Sequence, residues 1–241
     1  MSIAANLEQI RNQIHDACAR AQRDPVTVAL MAVSKMHPAE AILEAHAAGQ
    51  TLFGENRVQE WQSKQPLLAH LFNTTQSVPP AAQAHLIGPL QNNKTTKAAE
   101  LFHAIDTIDS LKTATRLNEA AKALGKQIPI LIEVKLSPED TKHGLAPEDL
   151  STFLGSLTPL TNLIPTGLMT VPPWCDSTPE GAETARPYFA RLRQLRDQHQ
   201  TAHPTLTQLS MGMSNDFRVA IEEGSTTVRI GTAIFGKRTY A

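Results

Sequence analysis

Eight short apolar runs, rich in β-branched residues, alternate with amphipathic helical stretches along the whole of this chain. The runs read as strands at 28–34, 51–54, 84–88, 104–108, 129–135, 164–170, 206–211 and 226–230. Helical spacing of apolar residues predicts helices at 39–48, 56–65, 92–101, 110–124, 147–156, 179–199 and 215–223. Asp109-Ser110 and Pro147-Glu148-Asp149 mark two of the starts, and Gly49 and Gly125 two of the ends. Consecutive parallel strands need a crossover, which a helix supplies, so strict alternation selects a parallel sheet with right-handed connections. Eight repeats is the count that closes a barrel. The competing open, doubly wound sheet usually carries a glycine-rich turn after its first strand. Here that turn is Ser34-Lys35-Met36-His37-Pro38, without glycine. The expected fold is therefore α/β, a single (β/α)8 TIM barrel spanning 1–241 as one domain. An extra N-terminal helix, marked by Leu7, Ile10, Ile14, Cys18 and Ala21, ends before Asp24-Pro25.

Lys35 follows directly on the first strand, so it stands at the mouth of such a barrel. A partly desolvated amine has its pKa lowered toward the range where it is a nucleophile, and condensation with a carbonyl to a Schiff base is its characteristic reaction. Phosphate usually sits after the last two strands of a barrel. There the chain reads Leu209-Ser210-Met211-Gly212-Met213-Ser214 and Thr226-Thr227-Val228-Arg229-Ile230-Gly231-Thr232. Ser214, just before a helix expected from Asn215, is a candidate N-cap with free amides beside it. Gly231 lets backbone approach a ligand closely. Arg229 alternates with apolar neighbours, faces inward and cannot give up its proton. Each residue has a plainer reading: a surface lysine, a simple cap, a turn, a structural ion pair. Taken together they describe pyridoxal phosphate, its aldehyde on Lys35, its phosphate on Ser214, Gly231 and Thr232, and its ring nitrogen at Arg229.

Charge and cysteine usage narrow the partners. Among 241 residues, 22 Lys and Arg face 23 Asp and Glu, a net charge of -1. That balance argues against nucleic acid and against an anionic membrane, which need a basic face. Cys18 and Cys175 are far apart with no CxxC spacing, as in a reduced cytoplasmic protein. No signal peptide is evident, and no apolar run approaches the ~20 residues of a membrane span. His199 and His203 are four apart, but Pro204 follows and Gln200 is not the glutamate of a metalloprotease motif, so no metal site is expected.

At these residues the chain resembles the pyridoxal phosphate homeostasis proteins, the YggS or PROSC family. The resemblance runs through Ala32-Val33-Ser34-Lys35, Phe53-Gly54-Glu55-Asn56-Arg57-Val58-Gln59-Glu60 and His85-Leu86-Ile87-Gly88-Pro89-Leu90-Gln91-Asn92-Asn93-Lys94. It continues through Lys142-His143-Gly144, Gly167-Leu168-Met169-Thr170, Leu209 to Ser214 and Val228 to Gly236. The resemblance implies an alanine racemase-like barrel with pyridoxal phosphate held as an aldimine on Lys35. It also implies a ring contact from Asn56, phosphate contacts from Ser214, Gly231 and Thr232, and Arg229 near the ring nitrogen. Glu133-Val134-Lys135 stands where many members have an asparagine, and Met36 where a threonine is frequent.

Chemistry separates a carrier from an enzyme. Arginine at the ring nitrogen disfavours its protonation and weakens the ring as an electron sink. Alanine racemases draw a second base, a tyrosine, from a further β domain. This chain stops five residues after Gly236, and its tyrosines, Tyr188 in an expected helix and Tyr240 at the tail, are poor substitutes. The expectation is a cytoplasmic homeostasis protein without substantial amino-acid turnover, monomeric, with apo-enzymes as cofactor recipients. A small racemase or lyase is the alternative, its base His85 or Cys175. A Schiff-base aldolase without cofactor is a third class. Lys94 and Lys142 are candidate anion-neutralising groups at the mouth, and the loops Asn73 to Pro80 and Pro172 to Gly181 are the long irregular stretches, the second a candidate lid.

Overall fold

The computed structural model describes residues 2–72, 81–139 and 143–236; the loop Asn73 to Pro80, Lys142 and Tyr240 lie outside the described residues. Its strands are β1 (Ala29–Val33), β2 (Leu52–Glu55), β3 (Gln83–Leu86), β4 (Ala104–Ile108), β5 (Ile128–Glu133), β6 (Leu163–Met169), β7 (Gln208–Ser210) and β8 (Thr227–Ile230). They run round a closed barrel in chain order. Neighbours are parallel, and β1 closes on β8 with Met31 opposite Arg229 and Ala32 opposite Ile230. The helices are α1 (Ile3–Arg20), α2 (Ala39–Ala47), α3 (Val58–Phe72), α4 (Thr95–Leu101), α5 (Leu111–Ala123), α6 (Leu150–Leu157), α7 (Pro179–Glu183), α8 (Arg186–Gln200), α9 (Phe217–Glu222) and α10 (Thr232–Phe235). The expected (β/α)8 barrel is the observed fold, with each strand end within two residues of its expected place.

The main apolar cluster lies between sheet and helices and takes in Ala32, Ile130, Ile132, Leu168, Leu209, Val228 and Ile230. Side chains alternate along a strand, so their neighbours Met31, Leu131, Met169, Ser210 and Arg229 fill the barrel interior. No helix among the described residues is long and apolar enough to cross a membrane.

Five helices depart from expectation: the stretches from 92 and 147 open as 3-10 turns at Asn92–Lys94 and Pro147–Asp149, and three others differ in extent. Pro66 lies inside α3, which runs on to Phe72 rather than stopping at 65; the fully buried Leu68 anchors the segment beyond it. The helix expected over 179–199 is two, because Pro187 lacks an N–H and fits the first turn of a new helix. Arg186 straps the pieces together, bonding Glu183 at 2.6 Å and, at the end of α9, Glu222 at 2.7 Å and the following Glu223 at 2.9 Å. The helix expected from Asn215 begins at Phe217, with Asp216 before it.

β8 is followed by a helix of only four residues, too short to cover the seam between β8 and β1. α1 takes that place in the outer ring. Its buried face, Leu7, Ile10, Ile14, Ala17 and Cys18, packs against α9, α10 and α2. Asn6 Nδ2 donates to the Ile234 carbonyl at 2.8 Å, and Arg23 beyond its end donates to that of Ile221 at 2.7 Å. α1 is thus the ring's missing helix rather than an appendage. Accordingly, Ile10→Ala should lower the unfolding free energy by about 2–5 kcal/mol, the range for a truncated core aliphatic. Urea denaturation measures this, and a loss no larger than that of a surface substitution would contradict the role.

Candidate functional site

Strand C-termini converge on one end of the barrel, where a cavity of about 600 Å³ opens. Lys35, Asn56, Ser214, Arg229, Gly231 and Thr232, drawn from four separate stretches of sequence, all line it. So do residues the sequence did not single out, among them Asn215, Asp216 and Trp174. Trp174 is 78% exposed and belongs to the Pro172 to Gly181 stretch. That stretch lies on the active face and is tied down where Asn215 Nδ2 donates to the Cys175 carbonyl at 2.8 Å. A smaller cavity of about 280 Å³ lies at the opposite end, beside Arg11, His15 and Gln50. Two of its polar side chains bond the chain itself: Arg11 donates to the Ala48 carbonyl and Gln50 to those of Leu30 and Leu52.

β1 ends at Val33, so Lys35 sits not at the strand's end but in the turn after it, which the His37 amide closes by donating to the Ser34 carbonyl at 3.1 Å. Met36 has φ +63°, a left-handed conformation costly for a side-chain-bearing residue. The turn is held from outside. Ser34 Oγ donates to Glu55 Oε1 at 2.8 Å, and the Met36 amide donates to Glu60. Lys64 Nζ joins these groups, meeting the Ser34 carbonyl at 3.0 Å, Glu55 at 2.7 Å and Glu60 at 2.8 Å. Burial pushes the Glu55 carboxyl up, and the Lys64 ammonium opposes it. Next in sequence, Asn56 is wedged against Gly88, where a Cβ would stand 2.2 Å from the Asn56 carbonyl oxygen.

Across the cavity, Ser214 is not a helix cap. Asp216 precedes α9, and its Oδ1 reaches back to accept the Met213 amide at 2.6 Å. A cap at Ser214 would take the Asp216 and Phe217 amides, but these donate to the Met213 carbonyl at 3.1 and 2.9 Å, which leaves Ser214 in the turn. Gly212 makes that turn possible with φ +97°. Among the described residues, the amides of Ser214, Asn215 and Thr232 have no protein acceptor. Successive unspent amides in such turns suit an anion. Gly231, where a Cβ would stand 3.3 Å from the Val33 carbonyl oxygen, keeps the β8 end narrow.

Arg229 is buried, yet it makes no ion pair within 4.0 Å among the described residues. Nη1 donates to Ser210 Oγ at 2.7 Å and Nη2 to the Thr170 carbonyl at 2.9 Å. Burial pulls its pKa down, while Asp106, Asp216 and Glu133 nearby favour the cation. These neutral contacts aim the guanidinium and leave its charge at the cavity wall. The donor set therefore fits pyridoxal phosphate: an amine for the aldehyde, amides and hydroxyls for the phosphate, a fixed cation for the ring nitrogen.

Both residues named as a base for the catalytic alternative have partners within the protein. His85 does not line the cavity; its Nδ1 sits 3.1 Å from Asp106 Oδ1 inside the barrel. Cys175 does line it, but its thiol is directed at Asp216 Oδ2, 3.7 Å away. Burial and the Asp216 charge push that thiol up to about 11, so it is protonated at neutral pH and is no base. Lys94, in a short 3-10 turn, stays off the cavity. His199 and His203 share one helical turn, and no group of three His, Cys, Asp or Glu among the described residues can hold a metal.

Glu133, at the end of β5, is pushed up from 4.5 to about 6 by burial first and by Asp109 second. The folded state therefore binds this proton more tightly than the unfolded chain. The stability it contributes is fully present below about pH 4.5 and is lost as pH climbs through about 6. Glu133→Gln should remove that decline, so that the native protein loses up to about 2 kcal/mol relative to the variant between pH 4.5 and 7. Urea melts at the two pH values give the comparison, and parallel losses in both proteins would rule it out.

Comparison with known proteins identifies the family. The model of the family "Alanine racemase, N-terminal domain" matches residues 5–239. A Pseudomonas aeruginosa pyridoxal phosphate homeostasis protein is 44% identical over 99% of this chain and 97% of its own length. A Vibrio cholerae protein of the same name is 43% identical over 100% and 98%. The solved structure of PipY from Synechococcus elongatus with pyridoxal phosphate bound is 40% identical, with TM-score 0.82 over 98% of this chain and 100% of that one. Alanine racemase from Clostridium difficile, 14% identical with TM-score 0.70, shares the fold over 57% of its length. The chain belongs to the alanine racemase N-terminal domain family and, within it, to the pyridoxal phosphate homeostasis proteins.

Proposed function

We propose that this protein binds pyridoxal 5′-phosphate covalently on Lys35 and serves intracellular cofactor homeostasis, without substantial amino-acid turnover. The observation that carries the reading is the meeting of Lys35, the unspent amides of Ser214 and Thr232, and the buried Arg229 on one cavity. The cofactor supplies an aldehyde, which the Lys35 amine captures with loss of water. Asn56 and Arg229 address the ring, and Ser214, Gly231 and Thr232 the phosphate. Holding the aldehyde keeps it from adventitious amines and reserves it for apo-enzymes. The naming of full-length relatives as homeostasis proteins supports the same role, as does the pyridoxal phosphate bound to PipY.

A racemase or lyase would need a base across the substrate from Lys35. The off-cavity His85 and the protonated Cys175 do not supply one. We further propose that residues 1–241 act as one unit, monomeric and cytoplasmic. Reduction of the loaded protein with borohydride, followed by peptide mapping, should put the adduct on Lys35, and Lys35→Ala should abolish both adduct and visible absorbance. An adduct on another lysine, with Lys35 unmodified, refutes the attachment. Mixed with an apo-transaminase, the loaded protein should restore activity faster than its own passive release of cofactor. Exchange of Cα protons across a panel of amino acids should stay near background, and enzyme-like exchange would restore the catalytic alternative.

A further inference from the structure

We propose that Lys64 is a positioning residue for Lys35: through Glu55 and Glu60 it clamps the residues on either side of Lys35 and keeps its amine on the cavity. This rests on the reading of Lys35 as the point of attachment. Lys64 lies on α3 and is 8% exposed. Its ammonium has three N–H donors, and three oxygens receive them: Ser34 O, Glu55 Oε1 and Glu60 Oε1, at 2.7–3.0 Å. With its donors spent, Lys64 is itself unsuited to take a ligand.

Each of those oxygens leads to the turn that carries Lys35. Ser34 precedes it, and its own hydroxyl is held by Glu55. Met36 follows it, and its amide is held by Glu60. A left-handed methionine that is 45% exposed gains little packing of its own; such a conformation persists where the surroundings over-determine it. The clamp also reaches a second wall of the site, since Glu55 is followed directly by Asn56, which lines the cavity.

Stability alone is a weak reason for this arrangement. A buried ion pair often contributes no more than well-packed apolar residues of similar size, whereas removing one partner leaves a stranded charge. Glu55 is fully buried, and among the described residues its Oε2 has no hydrogen-bond partner even with Lys64 present. What the charges supply is direction: an ammonium and two carboxylates fix where Ser34 and Met36 can be, and so where the Lys35 side chain starts.

The test uses the full chain and two probes, pyridoxal 5′-phosphate and pyridoxamine 5′-phosphate. The second shares the ring and the phosphate but has no aldehyde for Lys35 to capture. Lys64→Met should weaken binding of the aldehyde probe by roughly tenfold to a hundredfold, as expected for a misplaced reacting group, and speed its release. Affinity for pyridoxamine 5′-phosphate should stay within about twofold, since the phosphate contacts and Arg229 lie on other strands and only Asn56 among the expected contacts adjoins the clamp. Lys64→Arg should recover part of the loss. Glu60→Gln, at the partly exposed end of the clamp, should shift the aldehyde probe in the same direction by a smaller factor, and it decides the matter should Lys64→Met fail to fold. Equal weakening of both probes would mean that the network merely supports the pocket, and no change in either would mean that Lys35 needs no clamp; each result overturns the proposal. Lys35→Ala should abolish the covalent adduct in the same assay. An adduct surviving in Lys35→Ala would instead refute the attachment itself.

Discussion

The pairing of β1 with β8 is the constraint on which the site depends. A parallel sheet of eight strands leaves two edges unless it closes, and closure here sets Met31 beside Arg229 and Ala32 beside Ile230. Carried a few residues further, that register brings the Lys35 turn level with Gly231 and Thr232. An amine near the start of the chain and a backbone cradle near its end thereby become neighbours. A register slip of one residue would send Arg229 out of the barrel and Ile230 in. Outside the seam, α1 covers what the four-residue α10 cannot, so the first helix is part of the same closure.

Around the cavity, charge is handled in two ways. Arg229 is aimed by neutral oxygens, Ser210 Oγ and the Thr170 carbonyl, which orient it without cancelling it. Lys64 is consumed by its carboxylates and its carbonyl, which cancel its charge and turn it into a fixed joint. The first arrangement suits a group that addresses a ligand, the second one that holds another group in place. Asp216 belongs with the second kind. It accepts the Met213 amide on one oxygen and faces the Cys175 thiol with the other, so it shapes the β7 turn and quiets the thiol at once.

Legibility differed from residue to residue. Lys35, Ser214, Gly231, Thr232 and Arg229 could be read because each lies close to or beyond the C-terminal end of a strand, and strand ends in a barrel face one place. Asn56 came from resemblance alone, as nothing in its local pattern marks it. Ser214 was read for the wrong reason. Ser before an apolar run is a sound cap signal, but the amides it would hold, those of Asp216 and Phe217, are taken by the Met213 carbonyl. The break in the 179–199 helix was legible in Pro187, whereas the run of α3 through Pro66 was not, because tertiary burial of Leu68 outweighs a lost backbone bond.

By itself, the sequence determined the fold class, the number of strands and their ends to within two residues, since alternation and helix-end chemistry are local properties. It also determined which residue types stand at the strand ends. Only the tertiary structure decided that Lys64, nearly thirty residues from Lys35 in the chain, shares oxygens with the turn that carries it. It likewise decided that His85 faces Asp106 rather than the cavity. Contacts between distant segments depend on how the barrel closes and how each helix is rotated upon it, and no local pattern of residues carries that information.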